Sequence, residues 1–370
     1  MNLLISAGEA SGDLHGSRLL QALRKARPLV QAFGMGGSRM EAAGLQRIVS
    51  SDTLAVWGVA EVLEKLPVLR KALSALDAAA RSRSPAAAVL IDFPDFHGLL
   101  ARRLRRRGVP LIYYVSPQVW AWRRYRARRI AQSARRIITL FPFEAEIYRR
   151  LGADAVCAGH PLVEDVREGL AVPSPLAAKT RRRLVLLPGS RETELRRHWE
   201  TLAEAAVALA KRFDLEVVAV RAPSLSESLY TGAAERGIRV VSSGMHPVLA
   251  SADLALVASG TATLEAALCG APMVVFYKTS AFSWTVARIL VRLRWASLVN
   301  IVAQEEVVPE LIQDAFTADN VVAAGARLLG SAEKTAAMRA GLARVAEELG
   351  PPGASARAAA LVLSAVEGPP

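Results

Sequence analysis

The segment IDFPDFH, residues 91–97, carries two carboxylates directly after an apolar run that is typical of a buried strand. Strand ends in doubly wound sheets point side chains at the ligand crevice, so this pattern predicts that Asp92 is a general base for a hydroxyl proton. Asp95 is a second candidate for that role, although Asp is also well suited to capping the helix that follows. His97 has the simpler interpretation of an ordinary surface residue.

A second loop, SAGEASGD at residues 6–13, follows the first apolar run and opens a helix. Its glycines let a ligand approach the backbone, and free N–H groups at a helix start favour anions. Gly8, Glu9 and Ser11 are therefore candidate site residues. The loop lacks both the Gly-Lys-Ser/Thr of a Walker A motif and the GxGxxG spacing of a dinucleotide site, and a tight structural turn explains it equally well.

The loop LPGSRE, residues 187–192, again connects a predicted strand to a predicted helix. Gly189 and Ser190 would present backbone amides at the positive end of the helix dipole, and Arg191 adds bidentate donors. This combination suits a diphosphate leaving group.

A further loop, ASGTATLE at residues 258–265, has the small residues that let a nucleotide approach: Ser259, Gly260 and Thr261. Glu265 follows one turn into the next helix and could accept two hydrogen bonds from ribose hydroxyls. The alternative is that Glu265 is simply a first-turn helix charge. Together with the Arg191 loop, the motif predicts a nucleoside diphosphate site in the second half of the chain.

Short apolar runs alternate with helix-like stretches, which is typical of parallel strands joined by crossover helices. The predicted fold is α/β, with two Rossmann-like doubly wound domains facing a cleft. A stretch at residues 171–176 contains Pro and Ser and suits a linker, so we expect an N-terminal domain at 1–172, a C-terminal domain at 173–345 and a helical segment at 346–370. That last segment would pack on the N-terminal domain or on a partner subunit. Strands are predicted at 2–6, 87–91, 111–115, 183–187, 216–220 and 254–258, and helices at 12–25, 98–107, 193–212 and 263–269.

The positive charge is concentrated in one segment. The chain of 370 residues has 47 Lys and Arg against 34 Asp and Glu, yet residues 96–143 contain twelve arginines and no carboxylate. Such a block can bind nucleic acid, anionic lipid headgroups or a phosphorylated substrate, or it can be a solvated helix face. No RRM, KH or helix-turn-helix pattern accompanies the arginines, so we expect no nucleic acid partner. The arginines are Arg102, Arg103, Arg105, Arg106, Arg107, Arg123, Arg124, Arg126, Arg128, Arg129, Arg135 and Arg136.

An apolar stripe at near-helical spacing runs through residues 54–76. Most of it is expected to be core, but nearby Lys and Arg residues also give it the profile of a helix that lies on a membrane or holds acyl chains. The candidate lipid-contacting residues are Val62, Leu63, Leu66, Leu69, Leu73 and Leu76.

Several classes of protein are disfavoured by the sequence. No apolar run is long enough to span a bilayer, and the first residues lack the basic stretch of a signal peptide, so we expect a cytoplasmic protein. Cys157 and Cys269 are far apart and suit packing rather than a disulfide or zinc site. There is no DxD triplet or HExxH spacing, so neither a metal nor another cofactor is expected.

Taken together, these motifs resemble the lipid-A-disaccharide synthase family, which comprises inverting glycosyltransferases of the GT-B architecture. The resemblance covers the whole chain, and the combination of AGEASGD with VSPQVWAWR is its most specific part. The matching segments are AGEASGD at 7–13, GMGGSRM at 34–40, WGVAEVL at 57–63, IDFPDF at 91–96, YVSPQVWAWR at 114–123, GHPLVE at 159–164, LLPGSRETE at 186–194, SGTATLEA at 259–266 and SLVNIVAQEEVVPELIQ at 297–313.

The resemblance implies that UDP-2,3-diacylglucosamine donates its sugar to 2,3-diacylglucosamine 1-phosphate, giving a β-1',6-linked disaccharide phosphate and UDP. In this family the position of Asp92 is the proposed base for the acceptor 6-hydroxyl, and that of Glu9 is an active-site carboxylate. Asn300, like Arg191 and Glu265, matches a position that the family associates with the UDP moiety. Gln304 is a further candidate for binding UDP. Arg123 is a candidate for the lipid acceptor.

The resemblance also implies a homodimer in which C-terminal portions exchange between subunits. An anionic membrane surface is the expected further partner, with peripheral association at the inner membrane. The closest alternative is another GT-B enzyme acting on a UDP sugar, either a lipid-linked transferase or a UDP-sugar 2-epimerase, because the second-half loops are generic to such enzymes.

Overall fold

The computed structural model describes residues 1–51, 66–117, 119–120, 125–281, 284–285, 288 and 294–368. The chain forms two compact units. The first comprises residues 1–161 together with 350–370, and the second comprises residues 162–349.

The first unit is built on a sheet of seven parallel strands in the order β3-β2-β1-β4-β5-β6-β7. These strands are β1 (Asn2–Ala7), β2 (Gln31–Gly36), β3 (Leu45–Ser50), β4 (Ala87–Ile91), β5 (Leu111–Tyr114), β6 (Arg136–Thr139) and β7 (Ala155–Cys157). The helices described in this unit are α1 (Ala10–Ala26), α2 (Ser38–Ala42), α3 (Leu66–Arg83), α4 (Pro94–Arg106), α5 (Tyr125–Ser133), α6 (Pro142–Arg149) and, at the C-terminus, α14 (Ala354–Glu367).

The second unit is built on six parallel strands in the order β10-β9-β8-β11-β12-β13. These are β8 (Arg182–Leu187), β9 (Leu215–Val220), β10 (Ile238–Val241), β11 (Leu254–Ala258), β12 (Met273–Tyr277) and β13 (Glu310–Ile312). The helices described here are α7 (Leu162–Leu170), α8 (Glu192–Phe213), α9 (Met245–Ala250), α10 (Thr261–Leu268), α11 (Leu298–Ala303), α12 (Ala318–Leu329) and α13 (Ala332–Glu348).

The predicted α/β class with two doubly wound, parallel sheets is confirmed. Strands β4 and β11 have the predicted bounds, because a central strand of a parallel sheet is buried on both faces and reads as a continuous apolar run. The edge strands β3, β7, β10 and β13 escaped prediction, and so did the interior strands β2, β6 and β12. In β3, for example, Gln46 and Arg47 are exposed, which breaks the apolar run.

The sheet order brings candidate loops together in each unit. In the first sheet the chain order reverses between the adjacent strands β1 and β4, with Ala7 paired to Ile91. In the second sheet it reverses between β8 and β11, with Leu187 paired to Val257. Loops that leave a parallel sheet at such a reversal diverge to opposite sides and open a crevice at the carboxyl ends of the strands.

The units divide at Pro161, eleven residues before the boundary expected from the sequence. The reason is that α7 belongs to the second unit: its Gly169 lies against His246, where an added Cβ would come within 1.8 Å of the imidazole Nδ1. The Pro- and Ser-containing stretch at 171–176 therefore connects two elements of one unit.

The C-terminal helix α14 returns to the first unit and packs beside α1. Its Ala358 and Val362 side chains are fully buried. Arg136 donates hydrogen bonds to the Leu361 carbonyl at 3.1 Å and to the Ser364 hydroxyl at 2.6 Å, and Arg357 donates to the Ala158 carbonyl at 2.9 Å. Within this chain the segment therefore completes the core of the N-terminal unit.

The apolar stripe divides between core and surface. The assignment of Leu73 and Leu76 to lipid contact is wrong, since both side chains are buried in the core of the first unit. Leu69 is half-buried against the same core, whereas Leu66 is exposed at the start of α3. Val62 and Leu63 lie outside the described residues. No helix in the described part of the chain is long and apolar enough to cross a membrane.

Asp13, at the end of the first loop motif, is a buried structural carboxylate. It accepts hydrogen bonds from the backbone N–H groups of Gly37 at 2.7 Å, Arg39 at 3.1 Å and Met40 at 3.1 Å, and so caps the start of α2. The AGEASGD and GMGGSRM motifs are thus joined by one side chain, because orphan amides at a helix start need an acceptor.

We expect Asp13→Ala to lower the free energy of unfolding by about 3 kcal/mol, because the amides at the start of α2 would lose a charged acceptor. Urea denaturation followed by circular dichroism measures this loss. Gln21→Ala, an exposed change on the same helix, is the matched control. A loss for Asp13→Ala no larger than that of the control would contradict the capping role.

Candidate active site

Asp92 stands directly after β4, in a backbone conformation that few residues adopt. Asp92 and Phe93 have φ values of 47° and 51°, both in the left-handed region. Pro94 then begins α4, where its fixed φ and missing N–H are tolerated. The chain therefore turns sharply at Asp92, which is half-buried at the carboxyl end of the strand.

Gly8 permits this turn. A Cβ atom at position 8 would lie 2.2 Å from the Phe93 ring, so any larger residue there would displace the aromatic side chain. The glycine predicted to admit a ligand thus makes room for Phe93. Ser11, its predicted companion in acceptor binding, is exposed on the first turn of α1.

His97 is not the surface residue that the sequence suggested, since its side chain is fully buried. Its Nδ1 lies within hydrogen-bond distance of the Asp92 carbonyl, and its Nε2 lies 2.8 Å from the Ser6 hydroxyl. A carbonyl can only accept, so Nδ1–H is the donor and Nε2 accepts from Ser6. Burial lowers the pKa of His97 to about 4, which keeps the ring neutral in that tautomer. The imidazole therefore fixes the Asp92 backbone against β1.

The three candidate carboxylates have different surroundings. Burial, reinforced by the charge of Glu9, raises the pKa of Asp92 to about 6. Glu9 itself is exposed at the start of α1. Asp95 has a side chain that is 75% exposed and pairs with the Arg126 guanidinium. Of the three, Asp92 has the environment of a general base, because such a group works best with a pKa near the operating pH.

Glu144 is a buried carboxyl group that the sequence reading missed. It accepts a hydrogen bond from Trp120 Nε1 at 3.0 Å and another from the Phe141 amide at 3.4 Å, at the start of α6. Burial raises the pKa of Glu144 to about 7. Its place in the sequence, three residues into FPFE, was the available signal, because Glu at that helix position caps the N-terminus. It anchors Trp120 of the VSPQVWAWR motif.

In the second unit, the carboxyl ends of β8 and β11 border a cavity of about 610 Å³. That volume is typical of small-molecule sites. Most of the residues predicted to bind UDP line it: Gly189, Ser190, Arg191, Ser259, Gly260, Thr261 and Glu265. The sequence missed the contribution of the loops after β9 and β10, which supply Arg221, Ala222, Ser242, Ser243 and His246 among others.

The backbone conformation directly before α10 requires glycine at position 260. Its φ is 152°, where side chains are disfavoured, and an added Cβ would face open space. The backbone at Gly260 therefore has open space beside it, into which a ligand can fit. The Ser259 hydroxyl donates a hydrogen bond to the Ala296 carbonyl at 2.8 Å.

Glu265 is held in place by His246. The imidazole Nε2 donates to Glu265 Oε1 at 3.2 Å, and the two side chains are 15% and 17% exposed. Gly169 leaves the space that His246 occupies. The carboxylate thus has a fixed position on the cavity wall and retains acceptor capacity for hydroxyl groups.

At the LPGSRE loop, the backbone amides of the helix start are already engaged. Glu194 Oε2 accepts from the amides of Ser190 at 3.2 Å and Arg191 at 3.3 Å, and Glu194 Oε1 pairs with the Arg191 guanidinium at 2.9 Å. The amides that the sequence predicts at this helix start therefore have an acceptor within the protein. The Arg191 side chain is 59% exposed and lines the cavity, so its guanidinium is the group placed to meet an anion.

Asn300 and Gln304 are not brought into this cavity. Asn300 is fully buried, its Nδ2 donating to the Val308 carbonyl and to Glu310 Oε1, both at 2.8 Å. Its Oδ1 accepts from the amides of Val307 and Val308. Gln304 ends α11 and donates to the Ile301 carbonyl. In this structure Asn300 organises the loop that precedes β13.

The remaining sequence predictions concern Arg123, the two cysteines and metal ligands. Arg123 lies outside the described residues. Cys157 and Cys269 are free and half-buried. Among the residues that the structure describes, no three His, Cys, Asp or Glu side chains are grouped as metal ligands.

Sequence comparison identifies similar proteins along nearly the whole chain. A model of the lipid-A-disaccharide synthetase family matches residues 3–364. The lipid-A-disaccharide synthase of Solibacter usitatus is 42% identical over 379 residues, covering 99% of this chain and 98% of that protein. The enzyme of the same name from Anaeromyxobacter dehalogenans is 42% identical over 374 residues, covering 98% and 96%.

Solved structures share the fold at much lower identity. The calicheamicin glycosyltransferase CalG4 has a TM-score of 0.67 and 16% identity, with 99% of this chain and 98% of that chain covered. A UDP-GlcNAc 2-epimerase from Neisseria meningitidis, bound to UDP-GlcNAc, has a TM-score of 0.62 and 10% identity, with 99% and 100% covered. These likenesses show the α/β fold of the GT-B class.

Proposed function

The chain belongs to the lipid-A-disaccharide synthetase family, and we propose that it transfers the sugar of UDP-2,3-diacylglucosamine to 2,3-diacylglucosamine 1-phosphate. The products are the β-1',6-linked disaccharide phosphate and UDP. The observation that carries this proposal is the identity of 42% with a lipid-A-disaccharide synthase over 99% of the chain. Membership makes the protein a glycosyltransferase, and the roles of individual residues follow from their surroundings.

In the proposed reaction, Asp92 accepts the proton of the acceptor 6-hydroxyl as that oxygen attacks C1 of the donor sugar. The C1–O bond to the diphosphate breaks, and the electron pair leaves with UDP, so the configuration at C1 inverts. His97 holds the Asp92 backbone, and the charge of Glu9 helps raise the pKa of the base. The raised pKa strengthens Asp92 as a proton acceptor relative to an ordinary carboxylate.

The cavity at the ends of β8 and β11 is proposed to hold UDP. Arg191 is placed to stabilise the charge that develops on the departing diphosphate, and Glu265 to accept hydrogen bonds from the ribose hydroxyls. To bind the diphosphate with its whole guanidinium group, Arg191 breaks its ion pair with Glu194 and pairs with the ligand instead. No step of this proposal uses a metal ion.

His246 is expected to support this cavity by orienting Glu265. We expect His246→Ala to raise the Kd of UDP about fivefold, because a partly buried carboxylate would lose its hydrogen-bond donor. His246→Gln, which restores an N–H donor, should recover most of the affinity. Isothermal titration with UDP measures both variants, and equal Kd values for His246→Ala and the wild type would contradict the positioning role.

Release of UDP from UDP-2,3-diacylglucosamine tests the function. We expect release only when 2,3-diacylglucosamine 1-phosphate is present, and we expect it to survive EDTA. Failure of the wild type with both lipids would overturn the substrate assignment. Turnover of UDP-N-acetylglucosamine without an acceptor would instead support the 2-epimerase alternative.

Peripheral association with an anionic membrane and a domain-swapped homodimer complete the proposal. Leu66 and Val68 are exposed, at 38% and 41%, on the first turn of α3. Apolar residues exposed near basic ones, here Arg70 and Lys71, suit a membrane interface.

Exchange of α14 between subunits would keep its contacts with α1 and make them intermolecular. Vesicle sedimentation tests the first idea and light-scattering mass the second; a chain that neither sediments nor exceeds monomer mass would refute both.

A further inference from the structure

A groove of about 400 Å³ lies on the first unit between α4 and α5. Tyr113 of β5 and Ile130 of α5 are buried side chains that contribute to its lining. Pro94 and Asp95 also line it, and they follow Asp92 by two and three residues. The lining of the groove therefore starts two residues along the chain from the candidate base and includes residues of both helices.

Four arginines line this groove. Arg102 and Arg105 are one turn apart on α4, and Arg126 and Arg129 are three residues apart on α5. Among the described lining residues, Asp95 is the one with an acidic side chain, and it pairs with Arg126. The part of the lining that the structure describes therefore has a surplus of three positive charges.

Arg102 and Arg105 are both exposed, and neither has a carboxylate partner within 4.0 Å among the described residues. Two other arginines of the same Arg-rich segment do have carboxylate partners: Arg107 pairs with Asp77 at 2.8 Å, and Arg136 pairs with Asp154 at 2.7 Å. Guanidinium groups converging on a concave surface without counter-ions attract phosphate, to which arginine donates bidentate hydrogen bonds.

The groove is also partly apolar. Leu99 and Tyr125 line it and are 50% and 54% exposed, and the Arg129 guanidinium lies 5.3 Å from the centroid of the Tyr125 ring. A site for inorganic phosphate needs no such surface. An apolar wall beside clustered arginines fits a phosphate that is attached to an amphipathic molecule.

We propose that the groove between α4 and α5 binds the phosphate of a phosphorylated lipid, with Arg102 and Arg105 as the principal ligands. Two sources have this chemistry: the 1-phosphate of the acceptor and the phosphate of an anionic membrane lipid. The first source rests on the proposed function, whereas the second does not. Both use the same two arginines, so one pair of variants tests the groove.

The test compares Arg102→Gln/Arg105→Gln with Arg103→Gln/Arg106→Gln. Both double variants remove two positive charges from α4, but Arg103 and Arg106 do not line the groove. Arg102 and Arg105 are exposed, so their replacement leaves the core intact, and thermal melts verify folding. Each protein is assayed for transfer in neutral detergent micelles and for sedimentation with vesicles of phosphatidylcholine, alone or with phosphatidylglycerol.

If the groove binds the acceptor phosphate, the Arg102→Gln/Arg105→Gln variant raises the acceptor KM about tenfold, equivalent to about 1.4 kcal/mol. The donor KM stays unchanged. If a headgroup binds, the acceptor KM in micelles stays constant and sedimentation with phosphatidylglycerol vesicles falls about tenfold, also about 1.4 kcal/mol. Behaviour equal to that of the Arg103/Arg106 variant in both assays would overturn the proposal. Lack of transfer by the wild type refutes the proposed function, while the vesicle assay still decides for or against the groove.

Discussion

Asp92→Asn is expected to lower kcat by a factor of about 10³, the middle of the range for loss of a general base. Asn cannot accept the hydroxyl proton, but it tolerates the left-handed conformation that Asp92 adopts at φ 47°. It also leaves the Asp92 carbonyl, and hence the hydrogen bond from His97, unchanged. The variant therefore isolates proton transfer, whereas Asp92→Ala would add backbone strain.

The wild-type rate should also report the environment of this carboxyl. Because the pKa of Asp92 is raised to about 6, the base is mostly protonated below that pH and mostly ionised above it. The transfer rate should therefore rise with pH through about 6 and level off above it. An ordinary Asp would place that limb about two pH units lower, near 3.9.

Acceptor-dependent UDP release, measured with both lipids saturating, gives kcat for each variant. Asp95→Asn is the matched control, since Asp95 is the same residue type, three positions along, exposed and paired with Arg126. We expect it to keep kcat within a few-fold of the wild type. A large loss in Asp95→Asn with little change in Asp92→Asn would assign the base to Asp95 instead.

Arg191→Gln is expected to lower kcat/KM for the donor by a factor of about 10², as for removal of one charge-stabilising donor at a developing anion. Arg191 is the exposed guanidinium on the wall of the second cavity, and the amides beside it are occupied by Glu194. The variant would therefore leave the diphosphate facing the Glu194 carboxylate without its counter-ion.

Arg196→Gln provides the control for this prediction. Arg196 lies on α8, the helix that starts directly after Arg191, and it pairs with Glu192 at 2.7 Å. It does not line the cavity that Gly260 and Glu265 line. Steady-state kinetics over a range of donor concentrations separate kcat from KM, and titration with UDP gives the ground-state affinity. Equal losses in both variants would reduce the role of Arg191 to general surface charge.

Much of the fold follows from the sequence because central parallel strands are buried on both faces. The runs at Ala87–Ile91 and Leu254–Ala258 are apolar throughout, so their bounds are evident without a structure. Helix α8 was predicted to within one residue at each end for a similar reason: its apolar residues recur with helical spacing. Edge strands and short strands carry polar residues and give no such signal, as Ile238–Val241 illustrates.

The sequence also predicted which loops carry the proposed site, since residue types such as Asp92, Arg191 and Glu265 stand at strand ends, where ligands bind in doubly wound sheets. Only the tertiary structure decided what each side chain does there. It buried His97, Leu73 and Leu76, gave Asp13 three amides to cap, and placed His246 against Glu265. The reason is physical: residue type fixes what a group is able to do, whereas burial and hydrogen-bond partners depend on residues distant in the chain.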